Sequence, residues 1–195
     1  MDKLKINFIG GGNMAKSLIK GLISDQLLAS SISVIDTDIL ARKTLCDMGV
    51  NAVEDVGMLR AAEIVVLAVK PQNMKEALAD LRVDDALVIS VAAGVKLKTL
   101  SRLLKGHKKI IRAMPNLPAL VGNGVTAVYA KQEITSVDRS LAAMVLKGIG
   151  ESFWVLKEEH IDVATALSGS GPAYVFYIME VLEKIALEMG LEKDT

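Results

Sequence analysis

The sequence is poor in the residues that build disulfides, metal sites and aromatic surfaces. Its 195 residues include one cysteine, two histidines and 4% aromatic residues. A single thiol forms no internal disulfide, and two isolated histidines argue against a metal site or a histidine-based catalytic triad. Cys46 falls on an apolar position of a predicted helix, so we expect a buried structural thiol, in a protein of the reducing cytoplasm.

The chain also lacks an excess of either charge and any long apolar run. Basic and acidic residues both number 23, so we expect neither a nucleic-acid partner nor an anionic membrane partner. No uncharged apolar stretch reaches the roughly 18 residues of a membrane span, and we expect no signal peptide. The 51% of hydrophobic residues predicts a globular chain with one full core and part of another.

A glycine-rich turn lies between a predicted strand that contains Phe8 and a predicted helix. Gly10, Gly12 and Ala15 fit the G-x-G-x-x-G/A pattern, in which glycines allow a tight turn and close approach of a pyrophosphate. The start of a helix offers free N–H groups to phosphates. Asp36 ends the second predicted strand, 21 positions after Ala15, where an acidic residue holds ribose hydroxyls. Such a turn alone also arises for structural reasons, but strand, turn, helix and acid together predict dinucleotide binding.

Predicted strands and helices alternate along residues 1–157. The predicted strands cover residues 5–9, 32–35, a short segment near 52, and then 64–69, 87–91, 110–114, 125–130 and 152–156. The predicted helices cover residues 13–23, 38–47, 73–81, 97–104 and 137–147. This rhythm predicts an α/β fold, with a Rossmann-type, doubly wound parallel sheet whose central strand is the continuous apolar run 64–69.

Distinctive residues follow three of the predicted strands, where ligands of such sheets bind. The segments are Ala-Val-Lys-Pro at 68–71, Ala-Ala-Gly at 92–94 and Met-Pro-Asn at 114–116. Their small side chains leave room for a flat ring, and Lys70 and Asn116 offer polar contacts. Each segment alone is ordinary turn chemistry, whereas the three together favour a binding site.

From Glu158 onwards the predicted elements are helices only. Residues 160–167 and 173–189 are predicted helices, separated by a break at 168–172, with Ser170 as a possible N-cap of the second helix. The break either binds a substrate carboxylate at the helix start or serves only as a domain hinge. The second helix is apolar on every face over residues 173–179, so we expect another subunit or further chain to cover it.

Five motifs in the same order closely resemble those of pyrroline-5-carboxylate reductases. They are Phe-Ile-Gly-Gly-Gly-Asn-Met at 8–14, Ala-Val-Lys-Pro at 68–71, Ala-Ala-Gly-Val at 92–95, Ile-Arg-Ala-Met-Pro-Asn-Leu-Pro-Ala at 111–119 and Leu-Ser-Gly-Ser-Gly-Pro-Ala-Tyr at 167–174. The resemblance implies a dinucleotide-binding Rossmann domain, here residues 1–157, and the first part of an all-helical dimerisation domain, here 158–195. It also implies a homodimer or higher oligomer that reduces 1-pyrroline-5-carboxylate to L-proline with NADPH or NADH, the last step of proline biosynthesis.

The resemblance further implies which residues contact the ligands, without a metal. The cofactor residues are Ile9, Gly10, Gly11, Gly12, Asn13 and Met14 for the pyrophosphate, Asp36 and Thr37 for the adenosine ribose, Ala68, Val69, Lys70, Pro71, Val91, Ala92, Ala93 and Gly94 for the nicotinamide half, and Met114, Pro115 and Asn116 nearby. The candidates on the substrate side are Ser168, Gly169, Ser170, Gly171 and Pro172. We assign no catalytic proton donor.

The chain departs from the family at its end, because members continue through helices that carry a Ser-Pro-Gly-Gly-Thr-Thr loop at the substrate. Because the sequence stops at Thr195, we expect its substrate site to be incomplete. The chain would then be either a fragment of a longer protein or a non-catalytic dinucleotide-binding dimer. Another Rossmann oxidoreductase, such as a β-hydroxyacid dehydrogenase, would need a catalytic lysine in its second domain. Lys184 fits a surface ion pair with Glu180 or Glu188 instead.

The residues after the second predicted strand leave the cofactor preference open. Asp36 is expected to repel a 2′-phosphate and to favour NAD, whereas the family commonly uses NADPH. Arg42 or Lys43 in the following helix would offset that repulsion.

Overall fold

Eight strands form one sheet in the computed structural model of the protein, which describes residues 4–194. The strands are β1 Ile6–Ile9, β2 Ile32–Ile35, β3 Asn51–Val53, β4 Ile64–Leu67, β5 Leu87–Ser90, β6 Ile110–Met114, β7 Gly124–Ala130 and β8 Gly150–Trp154. Their order is β3-β2-β1-β4-β5-β6-β7-β8. The strands β1 to β6 are parallel, β7 runs antiparallel to β6, and β8 is parallel to β7. The strand order reverses between β1 and β4, the point at which doubly wound sheets bind ligands.

Helices cover both faces of the sheet. They are α1 Asn13–Ser24, α2 Ile39–Asp47, α3 Met74–Ala77, α4 Leu97–Leu103, α5 Ser136–Lys147 and α6 Glu159–Ala164. A seventh helix, α7 Gly171–Glu188, has no buried residue. Along β4, Ile64 and Val66 pack into one buried cluster with α1 and α5, while Val65 and Leu67 pack into another with α3 and α4. Burial on both faces explains why this strand is a continuous apolar run rather than an alternating one.

Many predicted bounds differ from the observed ones by a few residues, and two of these differences have a clear physical cause. The predicted helix 73–81 is α-helical only over Met74–Ala77, because its later backbone bonds tighten to three-residue spacing, as from Leu81 N–H to the Leu78 carbonyl. Strand β8 begins two residues before its predicted start. Its first residue, Gly150, has a φ of 128° and pairs with Gly124, so the strands approach where no side chain intervenes.

The expected break at residues 168–172 narrows to a single bend at Ser170. A π-helical turn over Thr165–Gly169 follows α6, and α7 begins at Gly171, so the backbone keeps helical angles through most of this segment. Ser170 has helical angles (φ −90°, ψ −20°), and its side chain makes no capping hydrogen bond. The prediction of a Ser170 cap is wrong because an N-cap needs extended backbone at the point where a helix begins.

Helix α2 turns a different side to the core than we expected. Leu45 is its buried residue, and Cys46, one position further, is exposed. The prediction of a buried thiol is therefore wrong, because adjacent helical residues point about 100° apart.

The helix α5 begins with a reciprocal cap. Thr135 Oγ accepts the Asp138 N–H at 3.1 Å, and Asp138 Oδ2 accepts the hydroxyl and N–H of Thr135 at 2.7 and 3.1 Å. Lys109 Nζ lies 3.1 Å from Asp138 Oδ1. Burial alone raises the pKa of Asp138, but the hydrogen bonds from Thr135 and the charge of Lys109 outweigh it and lower this pKa below its ordinary value of 3.8.

Helix α7 presents its apolar side chains to solvent in a single chain. The six residues Tyr174 to Met179 are between 55% and 68% exposed. An apolar surface of this kind is typical of an interface with another protein chain. None of the helices within residues 4–194 has the length and apolar character that crossing a bilayer requires.

Candidate functional site

The glycine turn between β1 and α1 combines a constrained residue with an open one. Gly10 has a φ of 97°, and a Cβ there would lie 2.9 Å from the backbone carbonyl of Ala68. Gly12 is exposed, and a Cβ on it would meet no atom within 4 Å. The residue before α1 is Gly12, which has no side chain to accept the first N–H groups of the helix. The turn has the geometry by which a helix start accommodates phosphate groups.

The other residues of the turn are positioned by the strand and by the helix. Ile9 is buried at the end of β1, and Ala15 is fully buried under the helix. Asn13 is exposed at the start of α1, and Met14 is half-buried against the core. The small Ala15 lets α1 lie close to the sheet, as the third position of the pattern requires.

Asp36 lies directly beside the glycine turn. Its Oδ2 accepts the Gly11 N–H at 2.6 Å, and its Oδ1 accepts the Asp38 N–H at 2.8 Å. A Cβ on Gly11 would lie 3.2 Å from Asp36 Oδ2 and 2.6 Å from a methyl carbon of Leu45. The carboxylate is therefore held in one orientation at the end of β2. Its two oxygens can still accept further hydrogen bonds in addition to those from the two N–H groups.

Arg42 is engaged within the same loop. Its Nη1 donates to the carbonyls of Asp36 and Thr37 at 2.8 and 3.0 Å, and its Nη2 lies 3.0 Å from Glu54 Oε2. The Arg42 side chain is only 17% exposed, whereas Thr37 and Lys43 are exposed. Sequence reasoning missed Glu54, because an exposed acid after a short strand carries no distinctive pattern.

The ends of β4 and β5 bring small residues to the same edge of the sheet. Leu67 at the end of β4 is in register with Ile9 and with Ser90. The residues that follow these strands are half-buried Ala68, Val69, Val91 and Ala93, buried Ala92, and exposed Lys70, Pro71 and Gly94. Among them, Ala68, Ala92 and Ala93 have small side chains.

The end of β6 meets the π-helical turn. Asn116 Nδ2 donates to Ser168 Oγ at 3.0 Å, while Asn116 Oδ1 accepts the Val125 N–H at 2.9 Å. A Cβ on Gly169 would lie 3.0 Å from Met114 Cε. Pro115 is buried, and Ser170, Gly171 and Pro172 are half-buried. The structure thus brings the substrate-side candidates of the helical segment against one of the strand ends.

A buried ion pair fastens this helical segment to the sheet. Arg112 on β6 is 1% exposed, and its guanidinium lies 2.9 Å from Glu158 Oε1 and 3.2 Å from Asp162 Oδ1. Glu158 Oε1 also accepts the Leu97 N–H at 2.7 Å, at the start of α4. Sequence reasoning missed both carboxylates, although an arginine within an apolar strand is a signal that a buried partner exists.

Two further expectations concern groups away from this edge. Lys184 is exposed on α7 and belongs to none of the ion pairs found in residues 4–194, so the expected pair with Glu180 or Glu188 is absent there. Within the same residues, no three His, Cys, Asp or Glu side chains come together as a possible metal site.

Comparisons with known proteins cover both parts of the chain. Residues 5–94 match the family model described as NADP oxidoreductase coenzyme F420-dependent. Residues 158–195 match the model described as pyrroline-5-carboxylate reductase dimerisation. This second match includes α6 and α7 and supports homo-oligomerisation.

Individual relatives match along almost the whole chain. Pyrroline-5-carboxylate reductase of Haemophilus influenzae is 39% identical over 199 residues, which span 100% of this chain and 73% of that protein. The solved reductase of Coxiella burnetii has a TM-score of 0.86 at 37% identity, over 98% of this chain and 73% of that one. The Plasmodium falciparum enzyme, solved with NADP bound, has a TM-score of 0.86 at 27% identity, over 100% and 73%. With its expected Rossmann-type sheet and helical segment both confirmed, the chain belongs to the pyrroline-5-carboxylate reductase family of NAD(P)H-dependent oxidoreductases.

Proposed function

We propose that this chain reduces 1-pyrroline-5-carboxylate to L-proline with NADH or NADPH. The observation that carries the proposal is the hydrogen bond between Asn116 and Ser168. It holds a segment of the helical region against the end of β6, at the same edge of the sheet as the glycine turn. A dinucleotide on the turn and a small substrate at this segment would therefore lie at the same edge of the sheet.

The cofactor side consists of the candidate residues from the strand ends. The open backbone of residues 9–14 binds the pyrophosphate, and Asp36 with Thr37 binds the adenosine ribose. Residues 68–71 and 91–94 line the nicotinamide half, where Ala68 and Ala92 leave room for the flat ring, and residues 114–116 lie next to it. When bound, the reduced nicotinamide supplies the hydride.

The substrate side consists of residues 168–172. Because the backbone keeps helical angles through most of this segment, the half-buried hydroxyls of Ser168 and Ser170 are the polar groups available to orient the substrate. The carbon of the protonated C=N bond would accept the hydride to form a C–H bond, and the π electron pair of that C=N bond would pass to the nitrogen, which would keep its proton. The chain's task is to align two planar rings, which requires neither a nucleophile nor a metal.

The same reading divides the chain into two domains. Residues 1–157 form the dinucleotide-binding domain, and residues 158–195 begin the helical domain. This division is supported by the end of the last strand, β8, at Trp154. We place the dimer or higher oligomer contact on α7, whose apolar residues are exposed, and the protein in the cytoplasm, where the exposed thiol of Cys46 stays reduced.

The proposal is tested by oxidation of NADH and NADPH at 340 nm with 1-pyrroline-5-carboxylate. In parallel, dinucleotide binding is measured for Gly12→Val, which places a branched side chain in open space at the turn, and for Ser24→Val at the far end of α1. We expect Gly12→Val to lose binding while it stays folded by circular dichroism, and Ser24→Val to bind normally. Unchanged binding by Gly12→Val would refute the cofactor assignment. Binding without substrate-dependent oxidation would favour the non-catalytic alternative or a different substrate.

A further inference from the structure

We infer that this chain binds NADH in preference to NADPH, and that the loop between β2 and α2 sets this preference. The inference rests on the proposed function, because it concerns the adenosine end of the same dinucleotide site. Three features of the loop oppose a 2′-phosphate: the fixed carboxylate of Asp36, the capped start of α2, and the pairing of the Arg42 guanidinium with Glu54.

The Asp36 carboxylate suits two hydroxyls better than a phosphate. Each of its oxygens accepts one backbone N–H, from Gly11 and from Asp38. An ionised carboxylate has about four acceptor sites, so two remain for the 2′- and 3′-hydroxyls of the ribose. A 2′-phosphate at the same place donates no hydrogen bond when ionised and brings a like charge, which a carboxylate repels.

The start of α2 is closed to a phosphate by its own cap. Asp38 Oδ1 accepts the N–H groups of Leu40 and Ala41 at 2.8 and 3.4 Å. Free N–H groups at a helix start are a usual binding site for phosphate oxygens. Here the Asp38 carboxylate accepts these N–H groups. The loop therefore places negative charge where an NADPH site would need hydrogen-bond donors.

Arg42 does not compensate for these charges. Its guanidinium donates to the carbonyls of Asp36 and Thr37 and pairs with Glu54, and the side chain is 17% exposed. Its charge is therefore opposed at close range by the Glu54 carboxylate. The remaining cation of residues 36–43 is the exposed Lys43, which belongs to none of the ion pairs in residues 4–194.

The preference is measured by titrating the full chain with NADH and NADPH while following nicotinamide fluorescence. We expect a Kd at least about tenfold higher for NADPH, a ratio that corresponds to about 1.4 kcal/mol. Added salt should narrow the ratio, because it screens repulsion between exposed charges. Equal affinities or tighter NADPH binding would overturn the inference and leave the proposed function standing. Failure to bind either dinucleotide would overturn both.

Variants assign the preference to the loop. Asp36→Ser should weaken NADH binding and reduce the NADPH-to-NADH ratio of Kd at least about tenfold. Asp38→Asn keeps a good capping residue while it removes a charge, so it should tighten NADPH binding with little effect on NADH.

Two controls complete the set. The matched control is Asp25→Ser, which removes an equal charge at the opposite end of α1 and should leave the ratio unchanged. Lys43→Gln should also leave the ratio unchanged. A selective loss of NADPH binding in Lys43→Gln would identify Lys43 as a phosphate contact and contradict our account of the loop. The NADPH-to-NADH ratio of Kd in the wild-type protein is itself a test. The inference can therefore be refuted even if a variant fails to fold.

Discussion

Glu158→Ala should lower the free energy of unfolding more than most single substitutions in the region that joins the sheet to the C-terminal helices. Glu158 Oε1 lies 2.9 Å from the guanidinium of Arg112 and accepts the Leu97 N–H at 2.7 Å. Removal of one partner of a buried ion pair costs about 3–5 kcal/mol, because the other charge stays buried without compensation. Arg112 keeps Asp162, but that carboxylate is 46% exposed and 3.2 Å away, so it offsets little of this cost.

The loss of the Leu97 bond adds to the effect. Helix α4 has no side-chain cap from its own N-cap residue, Lys96, so Glu158 provides the acceptor from a distant part of the chain. A lost cap costs about 1 kcal/mol. Relaxation of Arg112 towards solvent reduces the sum, and we expect the free energy of unfolding to fall by about 3 kcal/mol. Glu158→Gln, which retains an oxygen acceptor, should lose about half as much.

The assay is urea unfolding followed by circular dichroism at one fixed protein concentration, because self-association adds to apparent stability. The matched controls are Glu159→Ala, an exposed neighbour outside the ion pairs of residues 4–194, and Asp162→Ala, which should cost about 1 kcal/mol or less. A Glu158→Ala protein as stable as Glu159→Ala would show that the buried guanidinium does not depend on Glu158. It would thereby refute the reasoning.

Three further predictions concern stability, each measured by urea unfolding. Thr126→Val should raise the free energy of unfolding by about 1 kcal/mol, because the buried Thr126 hydroxyl has no hydrogen-bond partner within residues 4–194; a loss of stability would show that this hydroxyl is satisfied. Gly21→Ala should lower it by about 1–3 kcal/mol, because the new Cβ would lie 2.5 Å from Gly148 Cα between α1 and α5, whereas the exposed Lys20→Ala should change little. The pKa of Asp138 is lower in the folded than in the unfolded chain, so its contribution is full above about pH 5 and is lost as the pH falls through the folded value. Asp138→Asn should therefore lose less stability than the wild type between about pH 5 and pH 3, and parallel curves would contradict this.

The fold was largely predictable because its signals are local. The strands β2 and β6 have the predicted bounds, and the apolar run at 64–69 contains the central strand β4, which ends at Leu67. The predicted bounds are wrong where the spacing of buried residues continues beyond the helical hydrogen bonds. Leu78 and Leu81 continue the buried spacing of a helix after α3 has ended, so pattern alone overestimates its length.

The candidate site was predictable in part. The glycine pattern and its distance to Asp36 are properties of the sequence itself, and the structure brings Gly11 and Asp36 into contact. The groups that modify this site were not predictable. Glu54 reaches Arg42 from 12 positions away, and nothing in the residues between them indicates the pairing.

The sequence by itself determined the glycine turn, the alternation of strands and helices and the apolar surface of α7, because backbone freedom and residue periodicity act over a few neighbouring positions. Only the tertiary structure decided that Ser168 in the π-helical turn lies against Asn116, that Arg42 pairs with Glu54, and that acids 46 and 50 positions further along hold Arg112. These features depend on burial and on charge partners distant in sequence. Their free energies exist only once the sheet and the C-terminal helices have packed together.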